Sequence, residues 1–354
     1  MSGLHDALRA LIEGRSLTDV EAELTIGEIM DGGAHDAVVG AFLFALKIKG
    51  AEADELSGAV RAMLKRARPL DLRGREVLDT CGTGGDGSST FNISTGAALI
   101  AAAAGVAVAK HGNRAISGTV GTADVLEALG VKIDCEPEGL ARCLDEAGCC
   151  HIFAQAYHPA FKKIAPLRRE LRVRTIFNLM GSIGSPARPH YHLLGVAEEN
   201  LMRPMANALK ALGTRRAMVV HGGDGIDEIA ISGPTKVIEL HDGGELNEYT
   251  IAPEDFGVPR GDHRALVIEN LAGAVRMLTG ALDGGAGPAQ DVLALNGGAA
   301  IYLGGKAQTF AAGVTNAREI IAARGGLAVL EKMCHASNQQ VPKPVSKEMP
   351  KEIR

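Results

Sequence analysis

The chain has 354 residues, a formal net charge of −5 and 46% hydrophobic residues, a length that predicts about two domains with a sizeable core. Mild acidity and only 3% aromatic residues argue against a nucleic-acid binder that relies on bulk positive charge or base stacking. Glycine is frequent, at 45 residues, nearly twice its usual share of ~7%, but the normal aliphatic content argues against disorder for most of the chain.

Residues 1–70 are predicted to form a small helical domain. Apolar residues such as Leu8, Leu11 and Ile12 recur at helical spacing, and the same pattern returns over 38–48. Pro69 and the polar stretch that follows it indicate a domain boundary.

Residues 71–335 are predicted to form a larger α/β domain, because short apolar runs alternate there with helix-like stretches. The predicted strands include 77–78, 106–109, 131–133 and 218–220, and a helix over 122–129 is predicted to end at Gly130. This alternation favours a mostly parallel central sheet. Residues 336–354 contain three prolines among polar residues and are predicted to be a disordered tail.

A glycine-rich loop over 79–95 carries the densest chemistry in the chain. It contains G-x-G-x-x-G at Gly82, Gly84 and Gly87. No acidic residue follows about 20 positions later, as a dinucleotide-binding fold requires, and no Gly-Lys-Ser/Thr follows, as a P-loop requires. The remaining prediction is an anion site, since glycines let backbone N–H groups approach an anion closely.

The helix after this loop strengthens the prediction of an anion site. Ser94 and Thr95 are placed as the N-cap of a helix over 96–104, whose first amides favour phosphate. Asp86 in the loop would repel phosphate unless it binds a hydroxyl, a backbone amide or a cation. The alternative is a tight structural turn with solvent-facing hydroxyls.

A second polar loop, over 110–118, follows the second predicted strand. It carries Lys110, His111, Asn113 and Arg114 at the end of a parallel strand, where ligands of α/β proteins bind. Beside the first loop, it is predicted to form the other wall of a phosphate site.

These motifs together resemble anthranilate phosphoribosyltransferases, which join anthranilate to 5-phosphoribosyl-1-pyrophosphate in tryptophan biosynthesis. The resemblance covers nearly the whole chain up to about residue 333. It rests on the segments 82–86, 92–95, 110–114, 121–130, 158–159, 168–171, 174–178 and 221–228.

The resemblance implies a helical domain, which a segment near 160–185 is a candidate to join, and a larger α/β domain of the nucleoside-phosphorylase and phosphoribosyltransferase type. It implies an Mg²⁺-dependent pentosyltransferase that forms homodimers through its helical part. Contacts to the phosphoribosyl donor carry over to Gly82, Gly85, Asp86, Thr90, Asn92, Ser94, Thr95, Lys110 and Thr122. Contacts to Mg²⁺ carry over to Ser94, Asp227 and Glu228, and contacts to anthranilate carry over to Gly82, Asn113 and Arg168.

Departure of pyrophosphate from a ribose C1 builds negative charge on the leaving group, which a cation and hydrogen-bond donors stabilise. Asp227 and Glu228 suit Mg²⁺, which prefers one or two carboxylates beside phosphate oxygens and water. The guanidinium of Arg168 suits a carboxylate such as that of anthranilate. At least two of the arginines in 168–174 are expected to be ordinary surface charges.

His111 and His158 are candidates to line the acceptor site, but neither is assigned as a general base. The nitrogen of an aromatic amine is already nucleophilic, so no acid or base residue is assigned.

Two segments depart from the usual pattern of this family on the acceptor side. Residues 181–186 read Gly-Ser-Ile-Gly-Ser-Pro instead of Gly-Pro-Leu-Thr-Asn-Pro, and Gln155 replaces the proline of a usual Phe-Ala-Pro. Losing two prolines and gaining Gly184 predicts looser, more polar loops. These departures leave the identity of the acceptor open.

Three alternative functions remain at this stage. The first is a phosphoribosyltransferase for another aromatic amine, and the second is a pyrimidine nucleoside phosphorylase. The third is a non-catalytic relative that binds nucleic acid through the arginines of 168–174, which the net charge and the complete donor motifs disfavour.

The sequence predicts neither a membrane span nor a signal peptide. The longest apolar run, over 96–109, is mostly alanine and glycine and is shorter than the ~20 residues that cross a bilayer. The N-terminus lacks a basic stretch followed by an apolar one. The six cysteines form no C-x-x-C pair, which favours reduced thiols in a cytoplasmic protein that binds neither nucleic acid nor membrane.

Overall fold

The structure is a computed structural model that describes residues 3–115 and 120–339. The predictions for residues 116–118 of the second loop and for 340–354 of the tail therefore lie outside the described residues. In the described ranges, no helix is long and apolar enough to cross a membrane.

Four helices at the N-terminus form the predicted helical part. They are α1 (Leu4–Ile12), α2 (Asp19–Asp31), α3 (Asp36–Lys49) and α4 (Ala53–Lys65). A capping box between Thr18 and Glu21 starts α2, and Gly32, at φ +77°, ends it.

Three later helices pack with these four around one buried apolar cluster. They are α9 (Phe161–Leu171), α10 (Ile176–Ile183) and α11 (Met202–Ala211). Phe42 of α3 and Phe177 of α10 lie in this cluster and are almost fully buried. The helices of 161–183 therefore share the core of the helical part, although they come after three strands of the sheet.

The second part is built on a sheet that has seven strands within the described residues. The strands are β1 (Leu78–Gly82), β2 (Val108–Gly112), β3 (Cys149–Phe153), β4 (Tyr191–Gly195), β5 (Arg216–Gly222), β6 (Thr235–Leu240) and β7 (Leu246–Ile251). Their order is β3-β2-β1-β4-β5-β6-β7. Strand β6 is antiparallel to both of its neighbours, β5 and β7, and all other neighbouring strands are parallel. The predicted fold class, a helical part plus an α/β part with a mostly parallel sheet, is confirmed.

One predicted strand is wrong. Residues 131–133 form no strand, because the chain leaves α6 (Thr122–Ala128) through Gly130, at φ +91°, and runs along the C-terminal helix. The amide of Lys132 donates to the Ser337 hydroxyl, at 3.1 Å, rather than to a strand. The third parallel strand is instead β3.

The remaining helices lie against the sheet or pack on the helices that do. They are α5 (Ile93–Ala103), α7 (Pro137–Ala147), α8 (Ala154–Tyr157), α12 (Leu271–Leu282), α13 (Pro288–Leu303), α14 (Phe310–Ala322) and α15 (Gly325–Asn338), with 3₁₀ turns at Glu199–Leu201, Pro253–Phe256 and His263–Leu266. Helix α15 continues three residues into the segment predicted as a disordered tail, and the start of that prediction is wrong. The side-chain amide of Asn338 donates to the Gly130 carbonyl, at 2.8 Å, and so links the last turn of α15 to the end of α6.

Several glycines far from the polar loops permit close packing of helices. A Cβ on Gly298 of α13 would lie 2.6 Å from the Cα of Val314 in α14, and one on Gly297 would lie 2.9 Å from Ile100 of α5. Helices can approach this closely only where side chains are absent. Part of the glycine surplus is therefore a packing property.

Candidate functional site

The polar loops meet at the carboxyl edge of the parallel strands. Strands β1 and β2 are neighbours, and β5 lies two positions from β1 on the other side, with β4 between them. Each of the three strands ends in a glycine followed by a polar loop. The topology thus gathers segments that are distant in sequence, as is usual for ligand sites of α/β folds.

The glycine-rich loop after β1 is held against Asp227 from the loop after β5. The Gly84 amide donates to Asp227 Oδ2, at 2.6 Å. A Cβ on Gly82 would overlap the Asp227 carboxylate, and a Cβ on Gly195 of β4 would overlap the Asp227 carbonyl. Gly82 therefore allows the carboxylate to reach the loop.

Arg174 contacts the glycine-rich loop, a role that the sequence did not predict, because Arg174 lies in a run of arginines in which at least two surface charges were expected. Its Nη2 donates to the Thr83 carbonyl, at 2.7 Å, and a Cβ on Gly85 would overlap its guanidinium. Gly85 has φ +79°, a conformation that favours glycine. Two other arginines of this run, Arg169 and Arg172, are exposed, as expected.

The helix predicted at Ser94 and Thr95 begins slightly earlier, so their predicted N-cap role is wrong. Asn92 is the N-cap of α5, and the two hydroxyl residues lie in the first turn. Asn92 is the N-cap by its backbone position alone, because its side chain makes no capping hydrogen bond. Ser94 and Thr95 still lie at the helix N-terminus, where backbone amides favour anions.

Lys110 and Thr122 join this turn from the neighbouring loop. Lys110 Nζ donates to Ser94 Oγ, at 3.1 Å, and also to the Thr80 carbonyl. Thr95 Oγ1 donates to Thr122 Oγ1, at 3.5 Å. An ammonium, hydroxyls and a helix N-terminus are thus within one small region.

Thr90 lies further along the same loop. Its hydroxyl is 3.3 Å from the hydroxyl of Ser88, which donates to Asp86 Oδ2, at 2.7 Å. Thr90 also forms a β-bridge with Val267. Asp86, Ser88 and Thr90 are therefore linked by hydrogen bonds within the glycine-rich loop.

Arg114 is paired with carboxylates, although the second loop was predicted to place its cations at a phosphate site. Its guanidinium pairs with Asp124, at 2.9 Å, and with Glu127, at 2.8 Å. These ion pairs anchor the loop to α6.

The three acidic residues of the site are crowded. Burial, followed by the charge of Asp86, raises the pKa of Asp227 to about 7. Burial, followed by the charge of Asp227, raises the pKa of Glu228 well above its usual value, although the charge of Lys110 and the Ser94 amide act in the opposite direction. These crowded carboxylates and the hydroxyl of Ser94 could supply oxygen ligands to a hard divalent cation such as Mg²⁺.

On the other side of the second loop, Asn113 meets Gln155. Asn113 Oδ1 accepts from the Arg114 amide, at 2.8 Å, and from Gln155 Nε2, at 3.1 Å. Gln155 is exposed, in the one-turn helix α8 that follows β3. The sequence marked Gln155 as a departure but did not predict this contact.

His111 and His158 lie together below this loop, with ring centroids 5.2 Å apart. The His111 Nδ1 is 3.0 Å from the Gly181 carbonyl. Burial lowers the pKa of His111 well below its usual value and the pKa of His158 to about 4. Burial thus disfavours the charged imidazolium form of both rings.

Arg168 lies on α9, in the segment that packs with the helical part. Its guanidinium is 5.5 Å from the centroid of the Phe161 ring, and Phe161 in turn stacks edge-on with His158, at 6.0 Å. Burial lowers the pKa of Arg168. Arg168 thus connects with the histidine pair through an aromatic ring.

Comparisons with known proteins agree with this architecture. A family profile described as the glycosyl transferase family, a/b domain, matches residues 74–328, and the helical bundle domain of the same family matches residues 5–67. Two relatives named anthranilate phosphoribosyltransferase come from Thioalkalivibrio sulfidiphilus and Anaeromyxobacter dehalogenans. They are 45% and 48% identical to this chain over 318 residues, which cover 90% of this chain and 94% of each relative.

Solved structures give the same result. The crystal structure of anthranilate phosphoribosyltransferase from Thermus thermophilus has a TM-score of 0.88 and 39% identity, covering 94% of this chain and all of that one. The enzyme from Saccharomyces cerevisiae, solved in complex with 5-phosphoribosyl-1-pyrophosphate and Mg, has a TM-score of 0.85 at 23% identity, covering 94% of this chain and 97% of that one. The second likeness supports the fold.

Proposed function

The chain belongs to the anthranilate phosphoribosyltransferases, and from this premise we propose how its own residues perform the transfer. The reaction moves the phosphoribosyl group of 5-phosphoribosyl-1-pyrophosphate to the amine of anthranilate and releases pyrophosphate. The amine nitrogen forms a bond to the ribose C1 as the bond from C1 to pyrophosphate breaks.

The donor binds across the loops after β1 and β2. Backbone amides of the glycine loop, the first turn of α5 and the Lys110 ammonium supply positive potential for the phosphates. The observation that carries this proposal is the convergence of Lys110 on Ser94 at the N-terminus of α5. The residues assigned to the donor are Gly82, Gly85, Asp86, Thr90, Asn92, Ser94, Thr95, Lys110 and Thr122.

Ser94, Asp227 and Glu228 would hold Mg²⁺. When bound, the ion supplies positive charge that stabilises the developing charge on pyrophosphate. The crowding of Asp227 with Asp86 supports this assignment, because a cation relieves the repulsion that raises the pKa of Asp227.

The acceptor lies on the side of Asn113 and Arg168, next to Gly82. A guanidinium offers two donors to a carboxylate, and an amide N–H₂ donates to either substituent of the ring. His111 and His158 shape this pocket as neutral rings. The amine proton leaves to solvent or to the departing pyrophosphate, and no residue is assigned as a general base.

The metal assignment is tested with Asp227→Asn and Glu228→Gln, which remove charge at nearly constant shape. We expect both variants to lose most turnover at low Mg²⁺ and to need more Mg²⁺ for half-maximal rate, measured by loss of anthranilate fluorescence. Asp224→Asn is the matched control, since Asp224 lies in the same loop but accepts from Ser232. An unchanged Mg²⁺ dependence in both variants would contradict the assignment.

We also propose a homodimer formed through the helical part. Ile12 of α1 is 72% exposed, and Phe44 and Ile48 of α3 are 52% and 72% exposed. Helices α1 and α3 pack on each other, so these large apolar side chains occur on neighbouring elements, a feature typical of a protein interface. Ile48→Glu should shift the mass measured by light scattering from dimer to monomer, and a wild-type monomer would refute the proposal.

A reducing compartment such as the cytoplasm suits this protein. All six cysteines are free thiols, and four of them are buried. Persistent oxidising conditions do not favour several unpaired thiols in one chain.

A further inference from the structure

The hydrogen bond between Gln155 and Asn113 fixes the orientation of an amide at the acceptor side. Strands β2 and β3 are parallel neighbours, with Gly112 opposite Phe153. Asn113 follows β2 and Gln155 follows β3 by two residues, so both lie at the carboxyl edge. The contact is therefore a direct result of the sheet register.

Chemistry determines which atoms of the two amides face each other. The Arg114 backbone N–H can only donate, so the Asn113 atom 2.8 Å from it is the carbonyl oxygen Oδ1. The Gln155 atom 3.1 Å from the same Oδ1 must then be a donor, Nε2. Both lone pairs of Oδ1 are occupied.

Two groups remain for a ligand. Among the described residues, Asn113 Nδ2 has no hydrogen-bond partner, and neither does Gln155 Oε1. The first is a donor and the second an acceptor, and they belong to two amides that are joined directly. A proline at position 155 could make no such contact, because it has no side-chain donor.

We propose that Gln155 is a positioning residue for the acceptor: it holds the Asn113 amide with Nδ2 available to the aromatic amine substrate. The inference rests on the proposed function, in which Asn113 contacts the acceptor. Without Gln155, the side chain of Asn113 keeps only the bond from the Arg114 amide and can rotate about its remaining torsion. The cost appears in acceptor binding, because Lys110 and Ser94, which are assigned to the donor, bond to each other and not to this pair of amides.

The test compares steady-state kinetics of the wild-type protein with Gln155→Ala, Gln155→Glu and Gln155→Pro. A single neutral hydrogen bond corresponds to roughly two- to tenfold in an equilibrium constant. We expect Gln155→Ala and Gln155→Pro to raise KM for anthranilate by about that factor. KM for 5-phosphoribosyl-1-pyrophosphate should stay constant and kcat should change less than about twofold.

Gln155→Glu is the sharper variant because it changes only the donor. At neutral pH the carboxylate of Gln155→Glu can only accept a hydrogen bond, so two acceptors, the carboxylate and Asn113 Oδ1, would face each other. The rise in KM for anthranilate should therefore be at least as large as in Gln155→Ala. Gln308→Ala, at an exposed glutamine elsewhere in the chain, is the control for amide removal. Full acceptor affinity in Gln155→Glu would overturn the proposal.

A double-mutant cycle with Asn113→Ala separates positioning from a direct contact. If Gln155 acts through Asn113, then Gln155→Ala has no further effect in the Asn113→Ala background. Additive effects would overturn the proposal. Wild-type protein without turnover of anthranilate would overturn the proposed function and this inference together, whereas wild-type turnover with an unaltered KM in Gln155→Ala would overturn the inference alone.

Discussion

Asp79, the second residue of β1, should make a contribution to the stability of this protein that becomes less favourable as pH rises. Its side chain is fully buried, and its Oδ1 accepts from the His111 amide, at 3.0 Å. Within the described residues its Oδ2 has no partner. Burial raises the pKa of Asp79 from 3.8 to about 7, although the charge of Lys110 and the His111 amide act in the opposite direction.

The sign follows from the protons that each state binds. Between pH 4 and pH 7 the folded protein keeps the Asp79 proton while the unfolded chain releases it, so the free energy of unfolding decreases with rising pH. One pKa unit corresponds to about 1.4 kcal/mol. Relative to acidic pH, the raised pKa of Asp79 therefore lowers the free energy of unfolding by about 2 kcal/mol at pH 5 and by about 4 kcal/mol at pH 8, a difference of about 2 to 3 kcal/mol.

Asp79→Asn removes this pH dependence without changing the shape of the side chain. Its Oδ1 still accepts from His111, and its buried Nδ2 costs about 1–3 kcal/mol at every pH, which leaves the slope unaffected. The assay is urea denaturation followed by circular dichroism at pH 5 to 8, with the exposed Asp134→Asn as control. We expect the stability of wild type relative to Asp79→Asn to decrease by about 2 to 3 kcal/mol from pH 5 to pH 8. Parallel curves for the two proteins would refute a neutral, buried Asp79.

Two further predictions test the structural roles of glycines. Gly298→Ala should lower the free energy of unfolding by about 1–3 kcal/mol in thermal or urea denaturation, because its Cβ would lie 2.6 Å from the Cα of Val314. The control is Gly280→Ala on α12, whose Cβ meets open space and should raise the free energy of unfolding by about 0.5–1 kcal/mol. Equal effects of the two substitutions would contradict the packing argument. Gly85→Ala should raise KM for 5-phosphoribosyl-1-pyrophosphate at least about tenfold in steady-state assays, since its Cβ would overlap the Arg174 guanidinium at a φ of +79°. A Gly85→Ala variant with the wild-type KM for this donor would contradict a role of the loop shape in donor binding.

The glycine-rich loop could be predicted from the sequence because its backbone conformation depends on glycine. A Cβ on Gly82 would overlap a neighbouring carboxylate, and Gly85 has a positive φ. Lys110 follows a short apolar run, where a parallel sheet gathers its loops, and Ser94 precedes the apolar stretch of α5. The individual contacts to the donor come from the family resemblance and stay predictions.

The sheet was less predictable beyond its parallel strands. The antiparallel β6 and β7 follow β5 without intervening helices, so strand–helix alternation did not reveal them. Val131 and Ile133 are buried like strand residues, but they are buried in the contact of 131–133 with α15. Burial alone does not distinguish a strand from a buried loop, because both need apolar side chains.

Arg174 shows why the site could not be completed from local pattern. It lies between α9 and α10, two helices that share the core of the helical part, yet it donates to the Thr83 carbonyl in the α/β part. Its guanidinium fills the space that Gly85 leaves open, so the shape of the donor loop depends on how the two parts pack together. A run of arginines in a sequence predicts charge but does not show which guanidinium faces a loop about 90 residues away. Arg168, six residues earlier, is proposed to contact the acceptor, so one short segment carries both an arginine that supports the glycine-rich loop and an arginine proposed for the acceptor. Under that proposal, a displacement of α9 relative to the sheet would alter the glycine-rich loop and the acceptor side together.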